Sequence, residues 1–125
     1  MTAKILLIDD DSGIRSLYGK LLKDEGYEVY LSPNAQLAVE PLFLLDLDLV
    51  LLDINLPDFG GEMMFNVIRG DNPNLKIIIA SVYPIAHQKN WVRGATNYFD
   101  KAQGAEALLK IVHETLGLNP KKQIA

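Results

Sequence analysis

Residues 49–57 read Leu-Val-Leu-Leu-Asp-Ile-Asn-Leu-Pro. The run Leu49-Val50-Leu51-Leu52 is apolar at every position. It is too short for a helix and shows no alternation, the pattern of a strand buried on both faces. Strands of that kind belong to parallel sheets covered by helices on either side. Ile5-Leu6-Leu7-Ile8 and Ile77-Ile78-Ile79-Ala80 share the pattern. Glu28-Val29-Tyr30-Leu31 and Thr96-Asn97-Tyr98-Phe99 are weaker runs of strand composition.

Between these runs the apolar residues take helical spacing. Ile14, Leu17, Tyr18, Leu21 and Leu22 form one stripe, stopped by Gly26. Met63, Met64, Val67 and Ile68 predict a second, ended by Gly70 and Pro73. Leu108, Leu109, Val112 and Leu116 predict a last, ended by Gly117 and Pro120. Residues 35–45 are apolar and helical, with a kink or early end expected at Pro41. Residues 84–93 form the weakest helix, opening on Pro84. A strand–helix unit thus repeats five times. Right-handed crossovers place helices on both faces of a five-stranded parallel sheet.

The bulk properties agree. A chain of 125 residues makes one domain and buries about two-thirds of its unfolded surface, so it needs no staple. With 49% hydrophobic and 22% charged residues it is globular rather than disordered. Having no cysteine, it is neither a disulfide scaffold nor a thiol enzyme, and it has no Cys-ligated zinc. That composition suits the cytoplasm. A net charge of −4 leaves no footprint for nonspecific nucleic-acid binding. No apolar run reaches the roughly 18 residues needed to cross a membrane, and the amino terminus is too short for a signal peptide.

In open α/β sheets, function gathers at the carboxyl ends of the strands. Asp9, Asp10 and Asp11 follow the first strand, Asp53 ends the third, Ser81 ends the fourth, and Lys101 follows the fifth. Asp9, Asp10 and Asp53 put three negative charges at one rim, where like charges oppose folding. Lys101 offsets one, and a hard divalent cation offsets two more. A cation, a lysine and a hydroxyl around a carboxylate suit phosphoryl transfer, with the carboxylate as nucleophile. Ser81 and Tyr98 lie near enough in the strand order to respond to the new oxygens.

These stretches, with Gly-Ala-Thr-Asn-Tyr-Phe-Asp-Lys at 94–101, resemble the receiver domain of two-component response regulators of the single-domain chemotaxis type. The resemblance covers residues 4–117. It implies an α/β, flavodoxin-like (βα)5 three-layer sandwich with strands in the order 2-1-3-4-5. It implies a receiver domain over 1–118 and a tail or linker stump over 119–125. By position, Asp53 is the phosphoacceptor, and Asp9, Asp10, Asp53 and the backbone carbonyl of Asn55 bind Mg2+ or Mn2+. Ser81 is the switch hydroxyl, Tyr98 the switch aromatic, and Lys101 contacts the phosphoryl group. Asn55 and Tyr83 tune hydrolysis, and Gly61 matches the glycine that ends the loop after the phosphorylated strand. The implied partners are a histidine kinase or phosphotransfer protein and a downstream protein target. The target meets the face built from the fourth helix, fifth strand and fifth helix. Neither nucleic acid nor membrane is implied, and a weak homodimer is compatible. The domain would phosphorylate and dephosphorylate itself without being a turnover enzyme.

The chain departs from the family at four places. Ala102 stands where the family has proline after the lysine, so a cis bond there is not expected. Val82 follows Ser81 in place of alanine and narrows the phosphoryl entrance. Tyr83 sets an aromatic ring where water reaches the acyl phosphate. The spacing from Ser81 to Gly94 is shorter than in the chemotaxis-type members, which alters the partner face.

Simpler roles stand beside these. Asp11 or Ser12 caps the first helix. His87 and His113 read as solvated helix positions, Met63 and Met64 as core, and Trp91 as packing or a partner anchor. Lys121-Lys122 is too short for a nucleic-acid patch. Among rival functions, a degenerate receiver would bind partners without phosphorylation. An aspartyl-phosphate phosphohydrolase needs an acid two residues after its nucleophile, where this chain has Asn55. A nucleotide or flavin module needs a phosphate cradle where three aspartates stand.

Overall fold

The unbroken apolar runs form the three central strands of one parallel sheet. In the computed structural model, which describes residues 2–58 and 60–117, β1 is Lys4–Ile8, β2 Glu28–Ser32, β3 Leu49–Asp53, β4 Lys76–Ser81 and β5 Asn97–Asp100. Their order is β2-β1-β3-β4-β5, all pairs parallel. The helices are α1 Ser12–Asp24, α2 Ala35–Leu44, α3 Gly61–Asp71, α4 Ile85–Trp91 and α5 Ala105–Leu116, with a 3-10 turn at Lys101–Gln103. The fold is the expected α/β (βα)5 sandwich. The tail expected at 119–125 lies outside the described residues.

The period of two along each strand splits the interior into two cores. Leu6, Ile8, Val50, Leu52, Ile77 and Ile79 pack beneath α2 and α3 through Ala35, Ala38, Met64, Phe65 and Ile68. Ile5, Leu7, Leu49, Leu51, Ile78 and Ala80 pack beneath α1 and α5 through Tyr18, Leu22, Leu108 and Val112. Both faces of the central strands are therefore dry, which is why they do not alternate with polar residues.

Four expectations need correction. Pro41 does not end α2, which runs on to Leu44. A proline removes one donor, and the affected turn is open to solvent at Leu37, so water can serve the freed carbonyl. Leu17 is exposed, because only the centre of a broad apolar stripe meets the sheet. In α3 the buried face is Gly61, Met64, Phe65 and Ile68, while Met63 and Val67 are exposed. The apolar run 63–65 fits two helical frames. Gly61, pressed on the backbone of the preceding loop, selects the frame. Finally, His113 is buried rather than solvated. Its Nδ1 is hydrogen-bonded to the Tyr27 hydroxyl, 86 residues away, and its Nε2 lies 3.6 Å from Glu25. That sequence separation left no local signal.

Candidate functional site

Register brings the acids together. Ile8 pairs with Leu52, so Asp9 and Asp53 leave the sheet side by side. Asp9 and Asp53 are buried, while Asp10 is exposed. The Asp9 carboxylate accepts from the Asp11 N–H at 3.0 Å, and its backbone carbonyl accepts from Arg15 Nη1 at 2.8 Å. The Asp53 carboxylate accepts from the Asn55 N–H at 3.0 Å. Lys101 reaches across from the end of β5. Its Nζ lies 2.6 Å from Asp9 Oδ2 and 3.5 Å from Asp53 Oδ2. The peptide bond to Ala102 is trans, as expected with no proline there. Asp11 caps α1 by accepting from the Ile14 N–H at 3.0 Å.

Gly61 holds the loop after β3 down on the site. Its N–H donates to the Ile54 carbonyl at 2.8 Å, and a side chain there would run into the Asp53 and Ile54 backbone. Ser81 is fully buried at the end of β4, and its Oγ accepts from the Tyr83 N–H at 3.2 Å. Tyr98 is half-buried and turned toward the end of α4, its hydroxyl donating to the Val92 carbonyl at 2.6 Å. Val82 and Tyr83 are exposed, and Tyr83 meets Trp91 edge to face at 4.9 Å. Asn55 is exposed at the mouth. His87 is exposed on α4, away from the acids.

A cavity of about 480 Å³ opens over the cluster, lined by Asp9, Asp10, Asp53, Asn55, Val82 and Lys101. Ile14, Tyr18 and Ala102 close its other side. Sequence reading assigned Tyr18 to the core alone. Its signal was a phenol within an apolar stripe, one turn after Ile14 and facing the end of β1. Gln88, buried on α4, was missed altogether, since a glutamine in a weak helix gives no sign of burial. A second cavity of similar size, about 480 Å³, lies at the opposite, amino-terminal end of the central strands. Its one carboxylate, Asp48, is taken by the Lys4 N–H at 2.8 Å.

The site carries unbalanced negative charge. Burial pushes the Asp53 carboxyl up to about 6, with Asp9 and Asp10 adding to the rise and the Asn55 N–H and Lys101 opposing it. Burial alone would lower Lys101, but the hydrogen bond to Asp9 and the charges of Asp53 and Asp9 hold it above its ordinary value. Asp9, Asp10 and Asp53 each offer an oxygen, all within 4.8 Å of one another. Three hard oxygen donors with excess negative charge and an open mouth fit a divalent cation.

A folded carboxyl that keeps its proton to about pH 6 binds more protons than its unfolded counterpart, which releases near 3.8. Stability therefore falls as pH rises through that window and stays lower above it. Asp53→Asn is expected to raise unfolding free energy by about 2 kcal/mol at pH 7 in metal-free buffer, with little change at pH 4. Urea denaturation at the two pH values checks this. Equal effects at both would show that ionised Asp53 carries no penalty.

Comparison with known proteins adds the following. A sequence model of the response regulator receiver domain matches residues 5–113. The cell cycle transcriptional regulator CtrA of Caulobacter vibrioides is 31% identical over 112 residues, covering 88% of this chain and 48% of that protein. The chain thus spans about half the length of this curated relative. The CheY-like receiver domain protein of Methanospirillum hungatei superposes with a TM-score of 0.86 at 27% identity, covering 98% of this chain and 97% of the other. Response regulator TrrA of Thermotoga maritima, solved in complex with Mg2+ and beryllofluoride, superposes with a TM-score of 0.83 at 30% identity, covering 91% and 99%.

Proposed function

The chain belongs to the response regulator receiver domain family of two-component signalling, and from that premise we propose that Asp53 is the phosphoacceptor of a protein switch. One observation carries the reading. A buried carboxylate at the end of β3 stands within 3.5 Å of a lysine ammonium and within 4.8 Å of two further carboxylates. Such a set is costly to fold unless it serves a charged ligand.

In this reading the ionised Asp53 carboxylate attacks the phosphorus of a phosphohistidine on a histidine kinase or phosphotransfer protein. A P–O bond forms, the P–N bond breaks, and the imidazole leaves with the electron pair and takes a proton from water. Lys101 moves its charge from Asp53 to the incoming phosphoryl oxygens while keeping its bond to Asp9. Ser81 donates its hydroxyl hydrogen to one of those oxygens. Asp9, Asp10, Asp53 and the Asn55 carbonyl would hold Mg2+ or Mn2+, which would supply the remaining charge neutralisation. Asn55 and Tyr83 flank the path of water to the acyl phosphate and set its lifetime. Ser81 and Tyr98 then bias the face of α4, β5 and α5 toward a downstream protein. The receiver spans residues 1–118, works in the cytoplasm, and turns over no external metabolite.

Incubation with Mg2+ and acetyl phosphate, followed by intact mass, tests this. A gain of one phosphoryl group is expected, lost with a chelator and lost in Asp53→Ala. An adduct that persists in Asp53→Ala would overturn the assignment in favour of another acceptor, and no adduct on the unaltered chain would overturn it in favour of a receiver that works without phosphorylation.

A further inference from the structure

α4 has seven residues, Ile85–Trp91, and Gln88 is the one buried among them. A helix is ordinarily held by an apolar stripe. Here the anchor within the helix is polar. The Gln88 side chain is fully buried, and its Nε2 donates at 2.8 Å to the Tyr83 carbonyl and at 2.8 Å to the Phe99 carbonyl. Two carbonyl oxygens demand donors, so chemistry fixes which end of the amide faces them. Its Oε1 is buried with no protein partner among the described residues. The two acceptors belong to different elements. Tyr83 lies in the loop after β4, where its N–H donates to Ser81 Oγ. Phe99 lies on β5, next to Tyr98 and two residues before Lys101.

We propose that Gln88 is the positioning residue that passes a displacement of the Ser81 loop to α4 and β5. The proposal rests on Asp53 being the phosphoacceptor and concerns how the state of that site is transmitted. When the Ser81 hydroxyl is drawn toward a phosphoryl group, the Tyr83 N–H follows its acceptor, and the Tyr83 carbonyl moves with it. Both amide hydrogens of Gln88 are already engaged, so the side chain must follow Tyr83 or release it. The first course draws α4 along, and the second uncouples it from the Ser81 loop, because no other side chain within that helix is buried. Apolar contacts would tolerate such a slide, being non-directional, whereas a hydrogen-bonded clamp does not.

The test follows the Gln88 side-chain amide by 15N NMR on the full chain with Mg2+, before and after adding beryllofluoride, while 19F NMR reports binding at Asp53. The expected result is that the Gln88 amide signals shift and lose protection from solvent exchange when beryllofluoride binds. Unchanged Gln88 signals with beryllofluoride bound overturn the proposal. No bound 19F signal on the unaltered chain overturns the acceptor reading, and this proposal with it. In Gln88→Met, which keeps the length and loses the amide, beryllofluoride affinity is expected within about twofold of the original. Trp91 fluorescence is expected to change when beryllofluoride binds the unaltered chain and to stay constant in this variant. A full Trp91 response in folded Gln88→Met also overturns the proposal. If that variant does not fold, the amide measurement on the unaltered chain decides.

Discussion

Gly61→Ala lowers the unfolding free energy by about 3 kcal/mol or more and displaces Asp53, because the added methyl has nowhere to go. An ideal Cβ at this position would lie 2.4 Å from Ile54 Cα, 2.5 Å from the Asp53 carbonyl oxygen and 2.8 Å from that of Ile54. All three neighbours are backbone, so no rotamer change relieves the overlap. The loop must lift, which stretches the Gly61 N–H to Ile54 carbonyl bond and moves the residue that carries the acceptor carboxylate. Gly60 is the natural control. It has φ of +79° and ψ of 154°, a region essentially confined to glycine, with open space around its Cβ position, so Gly60→Ala meets backbone strain alone, worth about 1–3 kcal/mol. Urea denaturation ranks the two, and beryllofluoride binding reads the displacement of Asp53. A Gly61→Ala protein of unchanged stability and unchanged binding would refute the contact.

Lys101→Met is the second large effect. The Lys101 side chain is 11% exposed and its two carboxylate partners 2% and 5%. Removing the ammonium leaves Asp9 and Asp53 facing one another with no cation between them. Breaking a buried pair in this way costs about 3 kcal/mol at neutral pH. The penalty shrinks below pH 6, the region in which burial already lets Asp53 take a proton, and shrinks on adding Mg2+ at pH 7. Phosphoryl acceptance from acetyl phosphate is expected to slow by about 100-fold, the usual effect of losing one charge-stabilising donor. Denaturation at pH 5 and pH 7, each with and without Mg2+, separates the two contributions. Unaltered stability at pH 7 in metal-free buffer would mean that Lys101 does not balance the acids.

The fold was legible because its three central strands are buried on both faces. Unbroken runs such as Leu49–Leu52 can be little else, and the residue after each run marks the functional rim. That logic sets Asp9, Asp10, Asp53 and Lys101 on one rim, and the structure brings these four together. Helix frames were less legible. The run Met63-Met64-Phe65 leaves the inward face of α3 open, and only the close approach of Gly61 decides it. His113 and Gln88 were misjudged or missed for a common reason. Each is a polar residue whose partners lie in other elements, His113 against Tyr27 and Gln88 against Tyr83 and Phe99. Periodicity reports where apolar residues cluster, and it is silent on a polar group satisfied by a distant carbonyl or hydroxyl.

The ion pair between Lys101 and Asp9 joins residues 92 positions apart. Asp9 follows β1, the first strand of the domain, and Lys101 follows β5, at the edge of the sheet. A nascent chain folded only through β4 therefore holds the carboxylates without their ammonium group. The acids meet their ammonium group only when β5 docks, so the charge balance of the rim reports that the five-stranded sheet is closed.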